Sequence, residues 1–349
     1  MTRTIKYWQH AAGDQDRDYV DLCLKWDVII TGPGYQGAWP DCAEKLKKNE
    51  WSSRKITNLK RFCETIIDRD IVVLRLGTSQ VYGVGMVVGD YEYNENFGDV
   101  DGWGLQHIRR VKWLWKYNEN PETFDTYSLK LGDTTQELTS DIVINWIHSL
   151  KLDFDSLPTL TKLPQVNVQK DICFENISES LFDYGVSSTS IDVLTKEIDE
   201  LIRIAKWYQK YQDPSEFETV AYLAVPLLRA LGWTPQKMAI EWNKVDIALF
   251  KRLPRNDSNL DVVVEAKRKG NSCLNAISQA EGYAQGKENC KRLIVTDGLR
   301  YGVYLKDGEN FKLYAYFNIT RIRESYPIYE CGGASMALKA MTPEWQGEI

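Results

Sequence analysis

Two acidic residues and a lysine are the most chemically suggestive group in this 349-residue chain. Asp246 stands in NKVDIALF and Glu265 in DVVVEAKRK, with Lys267 two positions beyond Glu265. Both stretches read as strands, and in a strand residues i and i+2 share a face, so Glu265 and Lys267 project together while Ala266 points the other way. If LPRNDSN is the turn of a hairpin, Asp246 converges on the pair. Two carboxylates on one rim repel unless a hard cation lies between them, and oxygen ligands suit Mg²⁺, with Mn²⁺ as a substitute. Such an ion polarises a phosphoryl oxygen and acidifies bound water, while an ammonium offsets charge growing in the transition state. The chemistry expected is phosphodiester hydrolysis. The ordinary alternative is that Asp246 caps a turn while Glu265 and Lys267 form a solvated edge-strand pair.

The elements that must position these groups follow Asp213-Pro214. They read as a helix (SEFETVAYLAVPLLRALGW), strand, polar turn, strand, helix (SCLNAISQAEGYAQGK), strand (KRLIVTDG) and strand (YGVYLKD), an alternation that signals an α/β domain. Upstream, Ile191, Leu194, Ile198, Leu201, Ile202 and Ala205 recur at steps of three and four, marking an amphipathic helix to about residue 212. That helix is expected to pack the two domains together, or else to join protomers. The residues up to about 165 hold most of the tryptophans among short β-rich runs and read as a small β-barrel or curved sheet with a few helices.

In its order of parts, the stretch from about 213 to 305 resembles the PD-(D/E)XK nuclease superfamily, and in particular the N-terminal nuclease domain of type I restriction motor subunits. Those parts are Glu216 early in a helix that ends at Leu231-Gly232-Trp233, Asp246 in a strand, Glu265 and Lys267 in the next, Gln279 and Tyr283 on a helix, and a strand closing on Thr296-Asp297-Gly298. The resemblance implies that Asp246 and Glu265 bind the metal and Lys267 is the catalytic lysine. It further implies that Glu216 adds a carboxylate, with Glu218 as competitor, and that Gln279 helps place substrate or water. Arg268 and Lys269 beside the site, with Lys251, Arg252 and Arg255 on the neighbouring turn, are candidates for contacts to the DNA backbone.

The first 120 residues resemble the PUA-like EVE and YTH group, including the base-reading domain attached to McrBC-type modification-dependent restriction systems. The shared features are the opening Tyr7-Trp8 strand, a Gly83-Val84-Gly85 strand leading to Tyr91 and Tyr93, and a strand bearing His107, Arg109, Val111 and Trp113. The resemblance implies a flipped modified base held by aromatic faces. Trp39, in the Gly/Pro-rich GYQGAWPDC, leads the cage candidates, followed by Trp103 between two glycines and by Tyr35. Val111, Trp113 and Trp115 are expected to share one packed strand face, and His107 to be a structural hydrogen-bonding group.

Composition sets outer limits. Lys plus Arg number 43 against 49 for Asp plus Glu, a net charge of -6, which excludes a polycation that coats nucleic acid by bulk charge. Seven scattered cysteines without a C-x-x-C pair argue against zinc and against a disulfide scaffold, as expected in a reducing cytoplasm. No signal peptide, membrane span or Walker A motif is expected. The expected organisation is two-domain, α+β and α/β: a PUA-like reader over 1-165, a linker and helix over 166-212, a PD-(D/E)XK nuclease over 213-330 and a peripheral tail over 331-349. The function expected is a modification-dependent DNA endonuclease of anti-phage defence acting on double-stranded DNA with a modified base, a cytosine derivative, and working as a homodimer for double-strand cleavage. Two other readings stand beside it: an effector nuclease whose N-terminal domain senses a nucleotide signal or RNA, and a catalytically silent modified-base binding protein.

Overall fold

The structure, a computed structural model, describes residues 5-14, 17-155, 159-165, 172-345 and 347. The first residues of the expected linker, 166-171, lie outside the described residues, as do positions 346, 348 and 349 of the expected tail. The chain divides into two compact units, residues 1-166 and 167-349, both mixtures of helix and sheet. No helix among the described residues is long and apolar enough to cross a membrane.

The first unit is built on a sheet of strands β1 (Tyr7–Ala11), β2 (Val28–Thr31), β3 (Ile71–Leu76), β4 (Gln80–Tyr93), β5 (His107–Lys116) and β6 (Thr135–Glu137), in the order β2-β5-β4-β3-β1-β6. β1 and β3 run parallel, and the other neighbours are antiparallel. Ile71 to Leu74 are all buried, as expected of a central strand with both faces covered. A Cβ on Gly85 would stand 2.4 Å from Val111 and 2.8 Å from Trp113, so a glycine is required where these side chains cross the neighbouring strand. The expectation that Val111, Trp113 and Trp115 share a face fails at Trp115. A bulge pairs Trp113 with Gly85 but Trp115 with Val84, which turns Trp115 to the opposite face. There it meets Trp146 of the helix Asp141–Ser149, whereas the Trp113 indole N–H donates to the Cys23 carbonyl of the helix Val20–Trp26.

The second unit is a sheet between two helical layers. Its main strands are β7 (Met238–Trp242), β8 (Val245–Phe250), β9 (Leu260–Ala266), β10 (Arg292–Thr296), β11 (Arg300–Asp307) and β12 (Asn310–Asn318), hydrogen-bonded in that order. β9 and β10 are parallel, with the helix Ile277–Ala284 in the connection between them, and the other pairs are antiparallel. Alternation decides which side chain meets which layer. Ile247, Leu249, Val262 and Val264 pack with the helices Ser188–Tyr211, Val225–Ala230 and Ala334–Met341. Ala248, Phe250 and Val263 pack with Ala276, Ala280 and Ala284 of the opposite layer.

Two sequence expectations are corrected by this packing. The amphipathic stripe from Ile191 to Ala205 is buried inside the second unit, so it neither belongs to a linker nor offers a free face to another protomer. The segment after 330, expected as a peripheral tail, forms the helix Ala334–Met341, whose Ala334, Ala337, Leu338, Ala340 and Met341 are fully buried. Its short residues gave little periodic signal, yet they allow close approach to the sheet. The Trp233 indole N–H donates to the Met341 carbonyl (2.7 Å) and buried Arg292 donates to those of Ala340 and Thr342, which fixes the end of this helix.

Candidate functional site

The β8–β9 register, Ile247 opposite Val264, continues to bring Asp246 opposite Glu265 at one end of the hairpin. Asp246 Oδ2 accepts the Ala266 backbone N–H at 2.7 Å, which anchors it against the neighbouring strand. Lys267 Nζ donates to Glu265 Oε1 at 2.8 Å and to Gln279 Oε1 at 2.7 Å, and Gln279 Nε2 donates on to the Tyr283 hydroxyl at 3.1 Å. Alternation supplies the reason: Asp246 and Glu265 fall on the face that the helix Ile277–Ala284 covers, and Lys267 extends the same face beyond the strand.

Electrostatics single out Glu265. Its residue is 1% exposed, and Oε2 is buried without a hydrogen-bond partner. Burial pushes its carboxyl up to about 7; the Lys267 hydrogen bond opposes this, and the negative charges of Asp246 and Glu216 add to it. Burial also raises Asp246, against the pull of the Ala266 N–H and the Lys267 ammonium. A buried acceptor left open beside a second carboxylate is a poor way to stabilise a fold and a good way to hold a cation. Among the described residues no group of three or more His, Cys, Asp or Glu could hold a metal ion. Two carboxylates nevertheless fit Mg²⁺, which keeps several waters and commonly takes only one or two protein carboxylates together with substrate phosphate.

The helix layer settles which glutamate is committed elsewhere. Glu218 accepts from the Ser215 backbone N–H (2.8 Å) and hydroxyl (2.9 Å), while Ser215 Oγ accepts the Glu218 N–H, a reciprocal cap. Glu216 is exposed, and its charge is felt at Glu265. The helix runs from Glu216–Thr219 through a π turn, Val220–Ala224, into Val225–Ala230. Gly298 lies against that turn: a Cβ there would stand 2.5 Å from Leu223 and 3.0 Å from Thr219.

The basic candidates separate. Arg268 donates to the Pro214 carbonyl and Lys269 pairs with Asp213 at 3.2 Å, so both tie the strand end to the turn before Glu216. Lys251 and Arg252 are exposed just beyond the far end of β8, five and six residues from Asp246, or about 17–20 Å at strand rise. They lie on the turn, as expected, and the turn of a hairpin is opposite its open end, so they stand apart from the carboxylates. Arg255 is spent on the Gln236 and Pro235 carbonyls. Sequence reasoning noted Asp297 without seeing its task. Burial alone would raise its carboxyl, yet the Arg300 guanidinium overrides this and holds it low. Asp297 Oδ2 also accepts the Gly270 N–H, and Arg300 donates to the Asn271 carbonyl, which together clamp the loop after Lys267.

In the first unit the candidate rings come from two segments, Tyr35 and Trp39 from one and Trp103 from the turn that pairs Val100 with Trp103. Trp39 is half-buried; its indole N–H donates to Glu64 Oε1 at 2.8 Å, and its backbone N–H to the Tyr91 hydroxyl at 3.1 Å. That hydroxyl meets His107 Nδ1 at 2.8 Å, while His107 Nε2 faces the Pro33 carbonyl at 3.3 Å. Burial lowers His107 to about 4, so it is a neutral hydrogen-bonding group. Tyr35 is 63% exposed and packs by its ring edge and backbone against Gly104, next to Trp103, over whose ring the Arg17 guanidinium lies at 5.0 Å. Glu64 and Arg17 were not found from the sequence; they meet their partner rings across 25 and 86 residues of chain, and no local pattern marks such pairs.

A family model described as a domain of unknown function, DUF8426, matches residues 8-137, within the first unit. No curated protein matches the chain, and no solved structure does.

Proposed function

We propose that the chain is a modification-dependent DNA endonuclease, in which a PUA-like first unit reads a modified base and a PD-(D/E)XK second unit cuts the backbone. The observation that carries this reading is the convergence of Asp246, Glu265 and Lys267 at one sheet end, with Glu265 Oε2 buried and unpaired. Asp246 and Glu265 would hold Mg²⁺ or Mn²⁺. When bound, the ion supplies Lewis-acid polarisation of a phosphoryl oxygen and acidification of water. Lys267 places a positive charge where the phosphorane-like transition state gains negative charge. Gln279, its amide oriented by Tyr283, positions that ammonium by accepting its second hydrogen bond. Glu216 adds a carboxylate at the rim. In the first unit, Trp39, Tyr35 and Trp103 are the faces on which an extruded base would stack, each stacked base being worth about 1–3 kcal/mol. One such centre cuts one strand, so double-strand scission takes two chains.

The test is cleavage of a DNA panel carrying unmodified, methylated, hydroxymethylated and glucosylated bases, with Mg²⁺, with Mn²⁺ and in chelator. Cutting is expected only with metal and only on a modified substrate, and Glu265→Ala abolishes it. Products from Glu265→Ala identical to those of the wild type would remove the catalytic assignment. Metal-dependent cutting switched on by RNA or a small nucleotide instead would replace the reader assignment.

A further inference from the structure

The first unit has a concave site, lined by none of the aromatic candidates Trp39, Tyr35 and Trp103, with a volume of about 350 Å³. It lies between the β1–β6 edge of the sheet and the helical segment formed by Ser53–Lys60 and the π turn Arg61–Thr65. Its lining carries four cations, Lys6, Lys60, Arg61 and Lys130, and one carboxylate, Glu137. Two of the cations are paired with carboxylates, Lys60 with Glu64 (3.7 Å) and Arg61 with Asp133 (3.1 Å), which leaves Lys6 and Lys130 as the lining cations without an ion-pair partner among the described residues. A fold gains nothing from holding two unpaired ammonium groups at one cleft beside a fixed guanidinium, since like charges held together lower stability, so the arrangement points to an anionic ligand.

The walls are built rather than accidental. Trp8, 2% exposed, forms part of the lining, and its indole N–H is fixed on Asp70 at 2.8 Å. The backbone of Lys130 is clamped at both its N–H and its carbonyl by the buried Gln9 amide, at 3.0 and 2.8 Å. Arg61 is held by Asp133 (3.1 Å) and the Thr135 carbonyl (2.7 Å). Lys6 and Lys130 are exposed, and neither ammonium has a carboxylate partner among the described residues. Thr57 and Thr65 add hydroxyl donors from the helix side. Donors and cations dominate, and the one aromatic ring is too buried to stack on a base, so the ligand chemistry is that of phosphate rather than nucleobase.

We propose that this cleft is a phosphate-binding subsite that grips a nucleic-acid backbone independently of sequence. Continuity with the aromatic loop supports the nucleic-acid source. Glu64, on the same π turn as Arg61 and Thr65, is the residue on which Trp39 is anchored. The anchor of Trp39 thus lies within one helical turn of the cleft residues Arg61 and Thr65. Only the source of the phosphate rests on the reading proposed above; the phosphate chemistry of the cleft does not.

The experiment uses the full chain in chelator with a labelled, unmodified duplex, so that neither cleavage nor base reading contributes. Anisotropy is recorded over a range of KCl for the wild type, for Lys6→Ala/Lys60→Ala/Lys130→Ala, and for the matching Lys→Arg triple. Pyrophosphate and ATP are titrated calorimetrically into the same proteins. The alanine triple is expected to bind duplex about tenfold more weakly, with the slope of log K against log salt reduced by about 0.9 for each phosphate no longer neutralised, and the arginine triple to restore both. Loss of pyrophosphate or ATP binding in the alanine triple, with duplex binding unchanged, keeps the phosphate subsite but assigns it to a free phosphate ligand. If duplex, pyrophosphate and ATP binding are all unchanged in an alanine triple with wild-type melting, the proposal is overturned. Should that triple melt early, the double variant of the exposed Lys6 and Lys130 carries the same comparison.

Discussion

Replacing Glu265 by Gln should destroy cleavage and, at alkaline pH without metal, make the protein more stable. The substitution keeps the shape of the side chain and an oxygen for Lys267 to donate to, but removes the charge. Burial raises the Glu265 carboxyl from 4.5 to about 7. A raised acid means that the folded state binds more protons than the unfolded chain between those two values, so stability falls as pH rises through that window. A factor of ten in proton affinity is worth about 1.4 kcal/mol, so above pH 7 the ionised side chain costs about 3 kcal/mol. For a unit of this size that corresponds to about 6–12 °C of melting temperature. The assay is thermal and urea unfolding of both proteins in chelator at pH 5 and pH 8. The Gln variant should be more stable at pH 8, and the gap should close at pH 5, where Glu265 is protonated in the folded wild type as well. Mg²⁺ should then raise the wild-type midpoint and leave the variant unmoved, because an ion that binds only the folded, charged site stabilises by mass action. A wild type as stable as Glu265→Gln at pH 8 in chelator, or a gap that ignores pH, would refute the reasoning.

Three further outcomes are expected. Glu218→Ala should lose the reciprocal cap and melt slightly earlier while still cutting, whereas Glu216→Gln should slow cutting by about tenfold or more with unchanged melting; paired melting and cleavage assays separate the two. Burial lowers His10 to about 3 and His107 to about 4, so the unfolded chain takes up protons below pH 6.5 that the fold refuses. Stability of the first unit is therefore complete above pH 6.5 and drops as pH falls, by about 2 kcal/mol per histidine at pH 5; a flat profile in tryptophan-monitored unfolding from pH 7 to 5 would contradict this. Trp39→Ala should cut the preference for modified over unmodified DNA by about 5- to 150-fold in competition binding, the value of one stacked base, and leave affinity for unmodified duplex in place.

The local order around Asp246, Glu265 and Lys267 was legible because a period-two pattern assigns faces and a hairpin fixes which ends meet. Gln279 was legible as a helix position, but its role as acceptor for Lys267 needed the layer that alternation alone does not orient. β7 was missed. Its hairpin turns through Asn243 and Lys244, both at positive φ (51° and 74°), and a lysine in the second place hides a turn that Gly would have announced. The helix Ala334–Met341 was missed for a related reason: Ala334, Ala337 and Ala340 contribute through close approach, which leaves few large apolar side chains to mark a stripe. Glu216 and Glu218 were left as competitors although Ser215-x-x-Glu218 has the capping-box spacing, which commits Glu218 to the helix start and was the signal that could have separated them. Lys251 and Arg252 were legible as turn residues, but their distance from Asp246 was not, because along a strand positions separate at about 3.4 Å per residue.

The π turn at Val220–Ala224 carries one residue more than an α turn would need. Each helical residue rotates the chain by about 100°, so that surplus residue sets the azimuth at which Glu216 leaves the helix relative to Leu227 and Leu228 in the core. Excising one codon between 220 and 224 would let the helix relax to regular winding with its buried end undisturbed, while its first turn swings round to face elsewhere. The insertion thus uncouples the side of the helix that folds the protein from the end that faces the carboxylates, and a single deletion could silence one without dissolving the other.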